Sequence, residues 1–189
     1  MSLVEPTGKS VTRTFRLDRA WDSLLEAEAE TKGTSVSNLL ENLVRDYFSF
    51  YKWVEVFSSV VFSPETIKAI IEEADEGALA RAGEAMGKVS PTHGYLIRGD
   101  QLNERVASYQ ITEQMGRYSH WFKVAEHETN EHYYYIQHGL GPKWTTFVEA
   151  YISSFYANVL HVDVECERMG DNLLVKLPHH RDSRQASQP

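Results

Sequence analysis

Val11-Thr12-Arg13-Thr14-Phe15-Arg16-Leu17 is followed, from Asp18 to Phe48, by DRAWDSLLEAEAETKGTSVSNLLENLVRDYF, and the order strand, helix, helix within this stretch decides how the chain is read. Successive side chains of a strand point to opposite faces, so Thr12, Thr14 and Arg16 share one face while Phe15 and Leu17 share the other. Arg13 falls on the inward parity beside Phe15, near the end of the strand, where its long stem can bury and its head stay free. Asp18 is a good helix N-cap, Trp21, Leu24, Leu25 and Ala29 recur at helical spacing, and Lys32-Gly33 supplies a basic last turn and a stop. Thr34-Ser35 offers a second cap. From there Val36, Leu39, Leu40, Leu43, Val44, Tyr47 and Phe48 form an apolar stripe wide enough to be buried on more than one side.

A unit of about forty residues buries too little surface to be stable alone. A single strand, moreover, presents unpaired N–H and C=O groups along both edges. The simplest remedy for both is a second copy of the same strand, giving an antiparallel ribbon with a two-fold axis.

These residues resemble the ribbon-helix-helix family of DNA-binding regulators, the MetJ, Arc and CopG type, over about a fifth of the chain. The resemblance implies an intertwined homodimer that lays its ribbon in the major groove of double-stranded DNA. It places Thr12, Thr14 and Arg16 on the base-reading positions, and Ser35 and Ser37 where the start of helix two anchors a phosphate. An arginine at position 16 suits a bidentate contact to a guanine edge, and the threonines can hydrogen-bond or meet a thymine methyl. Arg13 and Lys9 are further candidates for phosphate contact.

Charge along the chain agrees with this reading. The net charge is −8, yet the first seventeen residues carry Lys9, Arg13 and Arg16 against Glu5, whereas residues 18–51 hold three basic against seven acidic side chains and residues 52–177 are acidic by seven. The acidic remainder should weaken non-specific DNA binding and make affinity strongly salt-dependent. Hydrophobic content of 42% over 189 residues suits a small domain plus a medium one. No run of eighteen apolar residues and no basic-then-apolar leader is present, and Cys166 is the single cysteine, so a cytoplasmic protein without membrane partner is expected.

The expected organisation is therefore a DNA-binding domain over residues 1–51, with 1–9 flexible, an α+β sensor or dimerisation domain over 52–177, and a disordered tail over 178–189 that contains His179-His180. Ser63-Pro64 starts a helix, and the small residues Ala80, Ala82, Gly83, Ala85 and Gly87 would admit a second backbone closely. Leu102 to Tyr118 has weaker helical spacing. Trp121 to His127 and His132 to His138 read as a hairpin whose Thr129-Asn130 turn pairs His127 with His132 and Ala125 with Tyr134. Trp144 to Val159 reads as a long helix. His161 to Arg168 and Asn172 to Leu177 read as two closing strands, so the sheet is antiparallel.

The order small-residue helix, hairpin, aromatic helix and Cys166…Gly170-Asp171 ending resembles the vinyl-reductase-like ligand-binding domains, related in fold to haem-based nitric-oxide sensors. That resemblance implies a pocket for a small apolar or aromatic ligand. Tyr109, Trp121, Tyr134, Trp144 and Tyr151, which combine apolar area with a polar handle, are its candidate lining. The alternative is a metal-responsive repressor similar to the nickel regulators, with His127, His132 and Cys166 as ligands of a divalent metal. An antitoxin remains a further alternative. No nucleophile with an evident base, glycine-rich phosphate loop or paired-carboxylate motif is present, so an enzyme is not expected.

Overall fold

A computed structural model describes residues 8–98, 101–129 and 131–178. Residues 1–7 of the expected flexible arm, Asn130 of the hairpin turn and the expected tail from 179, with His179-His180, lie outside the described residues. The chain divides by its contacts between Val60 and Val61, nine residues beyond the boundary read from sequence.

In the N-terminal unit Asp18 caps α1 (Arg19–Thr31), its carboxylate accepting from the Ala20 N–H at 2.8 Å. The helix stops where Gly33 turns left-handed (φ 61°), a conformation that costs glycine nothing, and Thr34 N–H closes back on Ala29 O at 2.9 Å. Ser35 caps α2 (Val36–Asp46) by accepting from Asn38 N–H at 3.1 Å. Helix two does not end near Phe48. It continues through a π-helical turn, Tyr47–Tyr51, into α3 (Lys52–Val56), where the Trp53 indole N–H takes the Phe48 carbonyl at 3.0 Å. The unbroken path explains the late boundary.

The strand expected over Val11 to Leu17 does not form: residues 8–17 are all exposed and carry no sheet pairing among the described residues. Among the described residues of this unit only Ala29, Leu39 and Trp53 are buried apolar side chains.

The second unit begins with α4 (Pro64–Glu73), capped by Ser63 with Pro64 at its first turn. Asp75 accepts from Ala78 N–H at 2.8 Å and opens α5 (Glu76–Arg98) as a separate helix. Asn103 caps α6 (Glu104–Tyr109), which runs on as a π-helical stretch, Gln110–Tyr118. Then follow β1 (Lys123–Glu128), β2 (His132–Gln137), α7 (Pro142–Phe155) with its π-helical extension Tyr156–Leu160, β3 (Glu165–Met169) and β4 (Asn172–Leu177). The sheet is antiparallel throughout in the order β1-β2-β4-β3. The α+β class read from sequence therefore holds for this unit.

Two expectations are corrected. The third strand starts at Glu165 instead of His161, because His161 itself takes a left-handed conformation (φ 57°) that ends the preceding helix. The hairpin register is shifted by one residue: Glu128 faces His132, Glu126 faces Tyr134 and Val124 faces Ile136. A one-residue slip moves every side chain to the opposite face. The expected register would have put Lys123 beside the fully buried Ile136, whereas the observed one puts Val124 there.

One sheet face is the core. Tyr134, Ile136, Leu173 and Val175 lie buried against Val148, Tyr151, Ile152 and Phe155 of α7 and Ile111 and Met115 of the π-helical stretch. On its other side α7 meets α5 at the small-residue stripe. A Cβ on Gly83 would run into the Phe147 carbonyl oxygen, and one on Gly87 into that of Tyr151. Ser154 adds a hydroxyl bond to Glu84 O at 2.7 Å, and Thr146 one to the Glu76 carboxylate at 2.7 Å.

Candidate nucleic-acid interface

The sequence-derived DNA candidates Lys9, Thr12, Arg13, Thr14 and Arg16 are all exposed, as are Ser35 and Ser37. Ser35 spends one lone pair on its cap and keeps its hydroxyl hydrogen for an external acceptor. The described segment before α1 carries Lys9, Arg13 and Arg16 against Asp18, whereas α1 and α2 carry Arg19 and Arg45 against Asp22, Glu26, Glu28, Glu30, Glu41 and Asp46.

The same unit leaves uncovered the apolar side chains that a folded domain would bury. Val11 is 74%, Phe15 61% and Trp21 63% exposed, and Leu24, Leu43, Val44, Tyr47, Phe48 and Tyr51 are exposed as well. On helix two these fall at 43, 44, 47, 48 and 51, one continuous stripe. Patches of this kind mark interaction surfaces. Tyr51, which the sequence reading left outside the stripe, extends it because the helix does not stop.

The second unit holds the other candidates. Trp121, Trp144 and Tyr151 do come together, with Trp121 5.4 Å from Trp144 and 5.6 Å from Tyr151 between ring centres, and the Trp144 indole N–H on Trp121 O at 3.2 Å. Phe147 joins them, stacked 4.7 Å from Trp144. Tyr109 lies elsewhere, accepting from the Gln114 amide at 3.2 Å. Tyr134 is fully buried and accepts from the hydroxyl of the equally buried Tyr156 at 3.1 Å. Burial pushes both phenols well above the usual tyrosine range. A groove of about 420 Å³ lies between α5, α7 and the segment before β3, lined by Ala80, Arg81, Glu84, Ser153, Asn158 and Asp163 among others, and none of the five candidate aromatics lines it.

The corrected register also separates the metal candidates. His127 points to the outer sheet face, stacked 4.8 Å over Tyr133, whereas His132 points to the core face, where its Nε2 lies 2.8 Å from Glu126. Cys166 sits on β3, at the far edge of the sheet from β1, with its thiol 3.6 Å from Ser153 and pushed up by burial. Among the described residues no three His, Cys, Asp or Glu side chains gather as a metal site. Glu126 is instead the hub of a polar corner, both of its oxygens accepting from Ser108 Oγ at 2.8 and 2.9 Å.

No family model, curated protein or solved structure matches this chain. Among the described residues no helix is long and apolar enough to cross a membrane.

Proposed function

We propose that the chain is a sequence-specific DNA-binding transcriptional regulator that works as a homodimer. Two copies of Val11–Leu17 pair as an antiparallel ribbon, Thr12, Thr14 and Arg16 face the major groove, and the inward side chains close a core that neither copy has by itself. The observation that carries this reading is the combination of a capped helix pair with, among the described residues, three buried apolar side chains and a fully exposed, unpaired segment that holds Lys9, Arg13 and Arg16. An exposed segment of alternating parity and exposed helix stripes both lack a partner, and a second copy of the same sequence would supply one with two-fold symmetry. Residues 61–177 then serve as the sensing or oligomerisation unit of a binding protein, not as an enzyme.

A metal-responsive mode draws no support from the hairpin, whose two histidines face opposite ways. For the small-molecule mode the aromatic corner of Trp121, Trp144, Phe147 and Tyr151 is the favoured docking place, since Trp121, Trp144 and Phe147 are only part-buried.

The test is selection of bound DNA from a randomised duplex pool, followed by anisotropy titration of wild type, Thr14→Ala and Arg16→Ala. A two-fold symmetric site should emerge, and Arg16→Ala should weaken it by at least about fivefold per half-site, the lower end of a lost bidentate base contact. No enriched site, or one indifferent to both substitutions, overturns the reading.

A further inference from the structure

Among the described residues the four-stranded sheet packs helices on one face. Its other face carries Tyr133, Tyr135 and Gln137 of β2 and Asn172, Leu174 and Lys176 of β4 across the middle, Lys123, Ala125 and His127 along the β1 edge, and Glu165, Glu167 and Met169 along the β3 edge. Tyr135 and Ala125 are exposed, and the His127 ring, stacked on Tyr133, makes the β1 side flat. A mixed centre of tyrosine, leucine and polar side chains, with a lysine–histidine edge on one side and a glutamate edge on the other, is complementary to itself under one symmetry operation and stacks like edges under another.

We propose that this face is where two copies of residues 61–177 meet, sheet on sheet, about a two-fold axis parallel to the strands. That axis lays the β1 edge of each copy over the β3 edge of the other. Glu165 then faces His127, Glu167 faces Ala125 with Lys123 one row away, Tyr135 packs on Leu174, and Tyr133 lies over Lys176. A two-fold axis running across the strands would instead stack Glu167 on Glu167 and Lys123 on His127, so the charges choose the first. Sheets stacked at about 10 Å with strands nearly aligned are the ordinary geometry for such a face. The proposal rests on the ribbon dimer above for proximity: two second units tethered to one ribbon see each other at roughly millimolar effective concentration, so a weak face suffices. It also gives the regulator its lever, since whatever alters this contact alters how the two copies are held.

Under this axis the two copies of Gln137, exposed on β2, come within about 11 Å of each other, from the strand and sheet spacings. The experiment uses the full chain in a Cys166→Ala background. Gln137→Cys treated with a bis-maleimide of matching span should give a covalent dimer, and adding Leu174→Glu should cut that yield at least about tenfold, 1.4 kcal/mol of contact, while sedimentation still reports the dimer mass. Restoration of the yield lost in Glu167→Lys by Lys123→Glu would support the edge pairing. Absence of the link, or its indifference to Leu174→Glu, overturns the proposal. So does a maleimide–succinimide linker on Gln137→Cys that lands on Lys9, Lys32 or Lys52 of its own chain, which would put the N-terminal unit on this face. A wild-type chain that sediments as a monomer fails the ribbon reading as well; a dimer whose Gln137→Cys variant does not link fails this inference alone.

Discussion

Gly83 and Gly87 show how much a single hydrogen can decide. Each stands where a methyl group would strike a backbone carbonyl of α7, and a carbonyl cannot step aside as a side chain can. Gly87→Ala should therefore cost on the order of 1–3 kcal/mol, or prevent folding of the second unit. Gly94, on the same helix, has nothing within 4 Å of the added atom, so Gly94→Ala should gain roughly 0.5–1 kcal/mol from helix propensity alone. Urea midpoints of the two variants, moving in opposite directions, would check both. The small-residue stripe was legible in sequence because its spacing is helical and needs no knowledge of the partner. The role of Glu126 was not, because a side chain's face depends on a register set by its neighbour strand.

At the scale of elements, that register is the main thing the sequence left open. Val124 and Ala125 are both plausible core residues, so the alternation of β1 alone does not choose between the two pairings. What decides is burial on the partner strand, where Tyr134 and Ile136 must face α7. The caps, by contrast, are local, and Asp18, Ser35 and Ser63 act where the sequence put them.

His138 ties three elements at the end of β2. Thr145 Oγ donates to Gly170 O at 2.8 Å and so must accept from His138 Nε2–H at 3.0 Å, while Nδ1 accepts from Leu140 N–H at 3.3 Å. Only the neutral ring satisfies both partners, and burial lowers its pKa, partly opposed by Asp171. A histidine with a depressed folded value stabilises fully above its ordinary value near ~6.5 and loses that contribution as pH falls through the folded value. Chemical denaturation at pH 7.5 and then across pH 6.5 to 5 should show wild type losing stability relative to His138→Gln on the acid side. A difference that is flat with pH would refute the tautomer assignment.

For the whole molecule, charge and symmetry argue together. A dimer presents Lys9, Arg13 and Arg16 twice while everything beyond residue 17 is net acidic. Affinity for DNA should fall steeply with salt, and Arg13→Ala, if it removes one phosphate contact per copy at about 0.9 in the logarithmic slope each, should flatten that slope by roughly two without changing the preferred sequence. Anisotropy over a salt series measures this directly. The two N-terminal helices could be read from sequence because their caps are short-range signals, whereas the surroundings of the second unit's aromatic residues could not, since aromatic content alone does not say which rings pack together and which border a groove.

The proposed dimer depends on two copies of Val11–Leu17 pairing with each other. In a Cys166→Ala background, cysteine is placed singly at each position from 11 to 17 and the protein is oxidised without DNA. An antiparallel ribbon has one residue on its two-fold axis, and only near it do two identical positions come within the roughly 4.4–6.8 Å that a disulfide spans. The account predicts a sharp maximum of disulfide dimer at the middle of the strand, centred on Thr14→Cys. No dimer at any of the seven positions, or equal low yields along the whole segment, would contradict it.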